Sequence, residues 1–249
     1  MKSFEEIRVV VTGGASGIGA AVTAHLREQG ADVVVLDRAR GDADPTRFVL
    51  ADLSVADQAP VAIDEAARMM GGIDVLINNA GIGAIGDVSE ATENDWTNLW
   101  SVNVVGLART TKAALPYLKA SSNAAIVNTA SIVAAIGVPK RAVYAATKGA
   151  VVSLTYAMAA DFAEFAIRVN AVAPGTADTP WVGRLLDASA DPRAERSALE
   201  ARQPSGRLVR ADEVALAIAC LAHPSSTSTN GTVLFVDGGM ERLRIPPKV

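Results

Sequence analysis

The chain has 249 residues, of which half are hydrophobic and only 4% are aromatic, and its formal net charge is −4. This profile is typical of an α/β core built from Val, Ile, Leu and Ala, and the acidic balance excludes a general affinity for nucleic acid, which needs a basic surface. No apolar run reaches the roughly 18 residues of a membrane span, Glu5 and Glu6 stand where a signal peptide would be apolar, and the single cysteine excludes an internal disulfide, so we expect a cytoplasmic protein.

Strand-like apolar runs alternate with segments of helical period along the chain. Strands are predicted at residues 8–12, 32–37, 47–50, 74–78, 124–129, 167–172 and 232–236, and helices at residues 17–29, 55–70, 92–119, 142–164 and 211–222. Because strands this apolar are joined by helical crossovers, they predict a parallel sheet that is buried on both faces. The expected fold class is α/β: a single Rossmann domain over residues 1–249, with a doubly wound seven-stranded parallel sheet and helices on both faces. Cys220 is expected to be a buried small hydrophobic residue of the last helix.

One long stretch, residues 176–210, shows no regular period. Pro180, Pro192 and Pro204 interrupt its charged segments. A connection of this length in a compact domain is usually functional. We therefore predict a substrate lid over the carboxyl edge of the sheet, where ligands of such folds bind.

The first predicted strand leads into a glycine-rich turn, Thr12–Gly19, that opens the first helix. Three of its glycines permit a tight turn, a close approach of the backbone to a diphosphate, and close packing of helix on strand, while the helix N-terminus faces the negative charge. The position of the turn between a strand and a helix predicts a dinucleotide site. Its predicted contacts here are Gly13, Ser16, Gly17, Ile18 and Gly19.

Asp37 ends the second predicted strand, 18 residues after Gly19. A carboxylate at this position can accept hydrogen bonds from the adenosine ribose and would repel a 2′-phosphate, so NAD is favoured over NADP as cofactor. Arg38 leaves NADP open, because a basic residue at this position can support a 2′-phosphate.

Tyr144 and Lys148 lie one helical turn apart on the same face of a predicted helix. Free tyrosine has a pKa near 10, which is too high for a general base at neutral pH, but a neighbouring ammonium stabilises the phenolate. This spacing therefore predicts a tyrosine general base whose pKa is lowered by lysine. Ser131, which ends the fifth strand, can hydrogen-bond the substrate oxygen that becomes a carbonyl.

These motifs, in this order, resemble the short-chain dehydrogenase/reductase family over about residues 7–240. The spacing of the glycine turn (Gly-x-x-x-Gly-x-Gly), the Tyr-x-x-x-Lys pair, Asn78–Gly81 and the ending Val233–Gly239 carry the resemblance. It implies that Asn103 is a fourth catalytic residue, which helps to hold a water that leads from Lys148 to solvent. It also implies further cofactor contacts, at Asp52, Leu53, Asn79, Ala80, Gly81, Tyr144, Lys148, Pro174, Gly175, Thr176 and Thr179.

Several residues around the predicted lid point to an acidic substrate. Arg141 lies three residues before Tyr144, and arginine presents a planar fork that suits a carboxylate. The surrounding segments resemble cytosolic-type 3-hydroxybutyrate dehydrogenases and 2-keto-3-deoxy sugar-acid dehydrogenases, which implies that Arg141 and Arg202 bind the substrate carboxylate. Arg184 is offset by one position from the corresponding lid arginine. The predicted substrate contacts are Ser131, Arg141, Tyr144, Trp181 and Arg202.

The expected function is hydride transfer between a secondary alcohol, on a small hydroxy acid or sugar acid, and NAD. The alternatives are an NADPH-dependent 3-oxoacyl reductase and a non-catalytic NAD-binding protein; the latter should lack one of the four catalytic residues, and all four are present. No metal site is predicted. We expect no nucleic-acid or membrane partner, but a homo-oligomer, either a tetramer or a dimer, because the family usually forms one and because Trp96 and Trp100 share a face of the helix that forms a subunit contact in it.

Overall fold

The computed structural model describes residues 3–187 and 189–244, so the ends of the predicted domain and lid residue 188 lie outside the described residues. The strands are β1 (Arg8–Thr12), β2 (Asp32–Asp37), β3 (Phe48–Leu50), β4 (Val75–Asn78), β5 (Ala125–Thr129), β6 (Arg168–Pro174), β7 (Ala177–Asp178), β8 (Val209–Arg210) and β9 (Val233–Val236). Seven of them form one parallel sheet in the order β3-β2-β1-β4-β5-β6-β9. The predicted seven-stranded parallel sheet is confirmed.

Helices cover both faces of this sheet. They are α1 (Gly17–Glu28), α2 (Gln58–Met70), α3 (Glu93–Trp100), α4 (Leu107–Lys119), α5 (Ala142–Asp161), α6 (Pro180–Asp187), α7 (Pro192–Ala201) and α8 (Ala211–Ala222). Alternate residues of the strands enter two separate apolar cores, one with α2, α4 and α5 and the other with α1 and α8. This two-sided burial explains why the strands read as continuous apolar runs, and the predicted α/β fold class is confirmed.

The order of the strands positions the site. From β1 the chain builds outwards to β2 and β3, and then returns to the other side of β1 to add β4, β5, β6 and β9. The loops that follow β1 and β4 therefore diverge to opposite faces, which opens a crevice at the carboxyl edge of the sheet.

The opposite, amino edge is held by a partly buried ion pair between Arg8 of β1 and Asp74, the residue that precedes β4. Asp74, which is only 4% exposed, accepts hydrogen bonds from Nε and Nη2 of Arg8 at 2.8 and 2.7 Å and from Oγ of Ser121 at 2.6 Å. Burial opposes the ionisation of Asp74, but the hydrogen bonds from Arg8 and Ser121 outweigh it and hold the pKa of Asp74 below its usual value.

The structure differs from the sequence-based expectations in three places. The helix predicted at residues 92–119 contains a wider, π-helical turn at Ser101–Gly106. The lid is more regular than expected, because it contains α6, α7 and the small β7–β8 sheet. The prediction that Cys220 is buried was wrong, since this side chain is exposed on α8. Trp100, at the end of α3, is 42% exposed.

Candidate functional site

A cavity of about 550 Å³ lies at the carboxyl edge of the sheet and brings most of the predicted site residues together. All predicted cofactor residues line it except Gly19, and so do Ser131, Tyr144 and Lys148. Among the predicted substrate residues Arg141 and Trp181 line the cavity, together with Arg184, whereas Arg202 does not.

The glycine turn at the mouth of α1 leaves room for an anion. Gly13 has a φ of 64°, and a Cβ there would lie 2.8 Å from Cα of Ala80. A Cβ on Gly19 would lie 2.0 Å from the carbonyl oxygen of Gly13, so the role of Gly19 is close packing. Ser16 precedes α1 without a side-chain capping bond, and no acidic residue occupies the first turn. Within residues 3–187 and 189–244 no side chain therefore caps the first N–H groups of α1, as in a diphosphate site.

Asp37 lies at the end of β2, beside this turn. Its carboxylate accepts hydrogen bonds from the backbone N–H of Ala15 at 3.1 Å and of Ala39 at 3.3 Å, and both Asp37 and the exposed Arg38 line the cavity. A ribose hydroxyl can donate to the remaining lone pairs of this carboxylate. The residues present thus fit a dinucleotide, and they place a carboxylate and a guanidinium at the same end of its site.

Asp52 lies after β3 and turns its side chain to its own loop. Oδ1 of Asp52 accepts hydrogen bonds from Oγ and N of Ser54, at 2.6 and 2.9 Å, and these bonds lower the pKa of Asp52. The carboxylate therefore fixes the loop in which Leu53 is buried. Both residues line the cavity beside Asp37.

A buried polar network ties the ends of β1 and β4 to one another. Oγ1 of Thr12 accepts hydrogen bonds from N of Asn79 at 3.0 Å and N of Ala80 at 3.1 Å, and Nδ2 of Asn79 donates to the carbonyl oxygen of Gly13 at 3.1 Å. Asn78, one residue earlier, is bonded to Thr110 of α4 at 2.8 Å. The Asn-Asn pair therefore holds the glycine turn and α4 against the sheet.

Asn103 lies in the π-helical turn and is 1% exposed. Its Oδ1 accepts from N of Ile82 at 2.8 Å, while its Nδ2 donates to the carbonyl oxygen of Ile82 at 2.9 Å and to Oγ1 of Thr147 at 3.0 Å. A Cβ on Gly81 would lie 3.3 Å from both Oδ1 of Asn103 and Nζ of Lys148. Asn103 does not line the cavity; it orients the loop after β4 and the first turns of α5. π-Helical turns often occur at such functional positions.

Tyr144 lies in the first turn of α5 and lines the cavity. Burial raises the pKa of Tyr144 above its usual value, although a hydrogen bond with Ser131 and the positive charge of Arg141 oppose this rise. Ser131 itself precedes a short 3₁₀ turn after β5 and is 9% exposed. The hydroxyls of Ser131 and Tyr144 thus lie together in the wall of the cavity.

Lys148 is 4% exposed, and its Nζ donates a hydrogen bond to the carbonyl oxygen of Thr129 at 2.7 Å. The ammonium lies 5.8 Å from the centre of the Tyr144 ring. Burial lowers the pKa of Lys148 to about 8. The sequence-based expectation that Lys148 lowers the pKa of Tyr144 is not met in this structure. Burial raises that pKa overall, Arg141 is the cation that opposes the rise, and Lys148 donates to the backbone of β5 instead.

Arg141 is half-buried beside Tyr144. Its Nη1 donates to the carbonyl oxygen of Ala84 at 3.1 Å rather than to a carboxylate, and its guanidinium lies 5.4 Å from the centre of the Trp181 ring. Burial lowers the pKa of Arg141, and the charge of Arg202 lowers it further, against the opposing effects of Tyr144 and Glu195. Arg202 is exposed at the end of α7, so it approaches Arg141 from outside the cavity.

Sequence reasoning missed other parts of the cavity wall. The apolar side chains of Val102, Val138, Leu199 and Met240 also line it. Leu199 lies in the predicted lid. The other three side chains carry no functional group that would have identified them as part of a site. Gly83 also lines it, and its place two residues after Gly81 is a signal that could have been read.

The parallel sheet with its strand-order reversal, the uncapped glycine turn and the Ser-Tyr-Lys cluster define a class, the NAD(P)-dependent oxidoreductases. Comparison with known proteins agrees. A family model described as enoyl-(acyl carrier protein) reductase matches residues 13–241. Cis-4-hydroxycyclohexanecarboxylate dehydrogenase of Sinomonas cyclohexanicum is 41% identical over 96% of this chain and 98% of its own, and the 3-oxoacyl-(acyl-carrier-protein) reductase of Thermotoga maritima is 35% identical over 93% and 96%.

Among solved structures, ligand-free aldohexose dehydrogenase of Thermoplasma acidophilum matches with a TM-score of 0.93 and 32% identity, covering 100% of this chain and 98% of that one. The chain therefore belongs to the short-chain dehydrogenase/reductase family. It is an NAD(P)-dependent oxidoreductase that acts on CH–OH groups. None of the helices within residues 3–187 and 189–244 combines the length and the apolar character that a bilayer crossing requires.

Proposed function

We propose that this protein is an NAD-dependent dehydrogenase that oxidises the secondary alcohol of a small hydroxy acid or sugar acid. The observation that carries the proposal is Arg141, a half-buried cation that lines the cavity beside Tyr144 and whose hydrogen bond is to a backbone oxygen rather than to a carboxylate. Partial burial of a charge is costly, Glu195 offsets this cost for Arg141 only through its charge, and a substrate carboxylate would supply a hydrogen-bonded counter-ion. The name of the Sinomonas relative, a hydroxycyclohexanecarboxylate dehydrogenase, supports an acidic substrate.

The chain's own residues would carry the proton chemistry. Ser131 would hold the alcohol oxygen, and Tyr144 would take its proton as the carbonyl forms. Lys148, fixed on Thr129, would hold positive charge behind Tyr144 and pass the proton towards the loop held by Asn103. When bound, the nicotinamide supplies the acceptor for the hydride that leaves the alcohol carbon. Gly13, Ser16, Gly17, Asp37 and Asn79 are among the residues that would hold that cofactor.

Asp37 supports NAD as the cofactor. Its carboxylate lines the site where a 2′-phosphate would lie, and the like charges would repel each other. The runner-up function, an NADPH-dependent 3-oxoacyl reductase, draws support from the exposed Arg38 in the same wall and from the name of the Thermotoga relative.

We further propose a homo-oligomer, a dimer or a tetramer, in the cytoplasm. The 42% exposure of Trp100 at the end of α3 supports an interface there, because a large aromatic side chain is more often buried. Sedimentation at micromolar concentration would test this proposal, and a monomer would contradict it.

The main test compares an acid with a neutral alcohol of matched shape. We expect the purified protein to oxidise 3-hydroxybutanoate or cis-4-hydroxycyclohexanecarboxylate with NAD at a kcat/KM at least about tenfold above that for 2-butanol or cyclohexanol. Arg141→Met should abolish this acid preference and leave the neutral alcohols oxidised. Tyr144→Phe should still bind NAD but lose roughly 10²- to 10⁴-fold in kcat.

Three results would contradict the proposal. A strong preference for NADP would overturn the reading of Asp37. Faster reduction of 3-oxoacyl thioesters than oxidation of free hydroxy acids would favour the runner-up. A Tyr144→Phe variant with the wild-type rate would remove Tyr144 from the chemistry.

A further inference from the structure

A second pocket, of about 310 Å³, lies outside the main cavity. The two share Gly83, Trp181, Arg184 and Leu185 as lining residues, and the outer one adds Ala84 and Ile85. Because the shared residues line both spaces, they form the wall between them.

Trp181 is the largest side chain of this wall, and it rests on Gly83. A Cβ on Gly83 would lie 2.9 Å from Cζ2 and 3.3 Å from Cε2 of the indole, so any side chain at residue 83 would displace the ring. Arg141 lies 5.4 Å from the ring centre on the cavity side. The loop after β4, the first turn of α6 and Arg141 therefore hold the indole in this position.

The outer pocket is lined by apolar side chains and by one charged side chain. Ile85 is 59% exposed, and Leu185 and the outer face of the indole add further apolar surface. The exposed Arg184 also lines this pocket. Such surface binds an apolar substituent better than water.

The inner cavity has to accommodate both the dinucleotide and the reacting alcohol, so the part left for the substrate is small. We propose that Trp181, seated on Gly83, is the size-determining wall of the alcohol site, and that the outer pocket is a subsite for the apolar chain of longer secondary alcohols, which is closed off by the indole. The inference rests on the proposed alcohol oxidation but not on the preference for acids.

The test removes the wall. In Trp181→Ala the ratio of kcat/KM for an eight-carbon to a four-carbon substrate, measured with 2-alkanols and with 3-hydroxy acids, should rise at least about tenfold over wild type. Gly83→Ala should shift the ratio in the same direction by displacing the indole, while Trp181→Phe, which keeps a ring, should stay closer to wild type.

A matched pair of second substitutions shows whether the apolar chain of the longer substrate binds in the outer pocket. In the Trp181→Ala background, Ile85→Asn should reverse most of the gain, because it makes the outer pocket polar. Val88→Asn should not, because Val88 is similarly exposed on the same loop but does not line either pocket. An unchanged ratio in Trp181→Ala, or equal effects of Ile85→Asn and Val88→Asn, would overturn the proposal.

A binding measurement separates this inference from the proposed function. Calorimetric dissociation constants of unreactive four- and eight-carbon alkanoates and alkanones for the NAD complex should show the same shift between wild type and Trp181→Ala. If no secondary alcohol is oxidised, the proposed function fails. The ratio of the dissociation constants of the eight- and four-carbon ligands then tests by itself whether Trp181 limits the size of the ligand. A folded Trp181→Ala variant whose binding ratio equals that of wild type would contradict the wall even if alcohols are oxidised.

Discussion

At the scale of single residues, burial raises the pKa of Tyr144, and both Ser131 and Arg141 oppose this rise. Arg141 therefore has two separable effects: it can bind a carboxylate, and it stabilises a phenolate. A neutral substrate reports only the second effect, because it offers no carboxylate to bind.

We predict that Arg141→Met moves the pH profile of kcat/KM for 2-butanol oxidation to higher pH. Oxidation needs the phenolate, so the rate rises with pH until the pKa of Tyr144 is passed, and the loss of a nearby cation raises that pKa. Arg184→Met is the control, since Arg184 also lines the cavity but is not among the charges that act on Tyr144. Coincident profiles for wild type and Arg141→Met would contradict this prediction.

Lys148 gives a second prediction, for stability. Its pKa is about 8 in the folded protein and near 10.5 in an unfolded chain, so between these values the unfolded state binds more protons and stability rises with pH. The rise from this one group amounts to about 3 kcal/mol. Denaturant titrations without cofactor should show this rise in wild type and in Lys112→Met, whose lysine is exposed, but not in Lys148→Met.

At the scale of elements, the glycine turn before α1 combines a positive φ with a close approach of the backbone. Gly13→Ala should destabilise the protein by about 1–3 kcal/mol, because φ is 64° and the new Cβ would meet Cα of Ala80, and should weaken NAD binding at least about tenfold. Gly137→Ala is the matched control, since a Cβ there meets nothing within 4 Å. Unfolding curves would measure the stability of each variant, and NAD titrations would measure its affinity for the cofactor. Equal losses of stability and affinity in Gly13→Ala and Gly137→Ala would exclude the steric explanation.

The elements themselves could largely be predicted from the sequence, because their pattern is local. All seven strands of the sheet lie within two residues of the predicted ends, since apolar runs such as Val33–Leu36 are buried on both faces. The π-helical turn could not be predicted, because its cause is tertiary: both polar atoms of Asn103 bond to Ile82, on another element. A single widened turn is too short for side-chain periodicity to locate it.

The bounds of α8 were predicted correctly, but the prediction that its Cys220 is buried failed for a related reason. Ala, Ile, Leu and Cys occupy nearly all of its positions, so hydrophobicity does not distinguish the face that meets the sheet, and both Cys220 and Leu216 are exposed. The two lid helices did carry a local signal. Pro180 and Pro192 each stand at a first helical position, and Asp191 caps α7, so these prolines begin helices rather than interrupt them.

At the scale of the whole molecule, the site and the ion pair of Arg8 with Asp74 lie at opposite edges of one sheet. Asp74→Asn should lower the free energy of unfolding by on the order of 2 kcal/mol at neutral pH, because it leaves the half-buried Arg8 without its charged partner. It should leave kcat/KM unchanged.

The stabilising effect of Asp74 depends on pH, and its direction follows from the pKa of this carboxyl group. The pKa of Asp74 is lowered in the folded protein, so its stabilising effect is present above the unfolded value near 3.8 and is lost as the pH falls through the folded value. Asp212→Asn is the control, because its pair with Arg210 is fully exposed and should contribute little. A loss of activity in Asp74→Asn without a loss of stability would contradict the separation of the two edges.

That separation bears on how such a scaffold acquires new specificities. The wall of Trp181 and Gly83, the lid and Arg141 all lie in connections that leave the carboxyl ends of strands, whereas Arg8, Asp74 and Ser121 hold the other ends. Substitutions that alter which alcohol is accepted therefore leave the main anchoring contacts intact. In a laboratory selection for a different substrate, the stability contributed by the amino edge would offset the destabilisation caused by substitutions at the site. Stabilising that edge first should therefore increase the number of lid and loop variants that still fold.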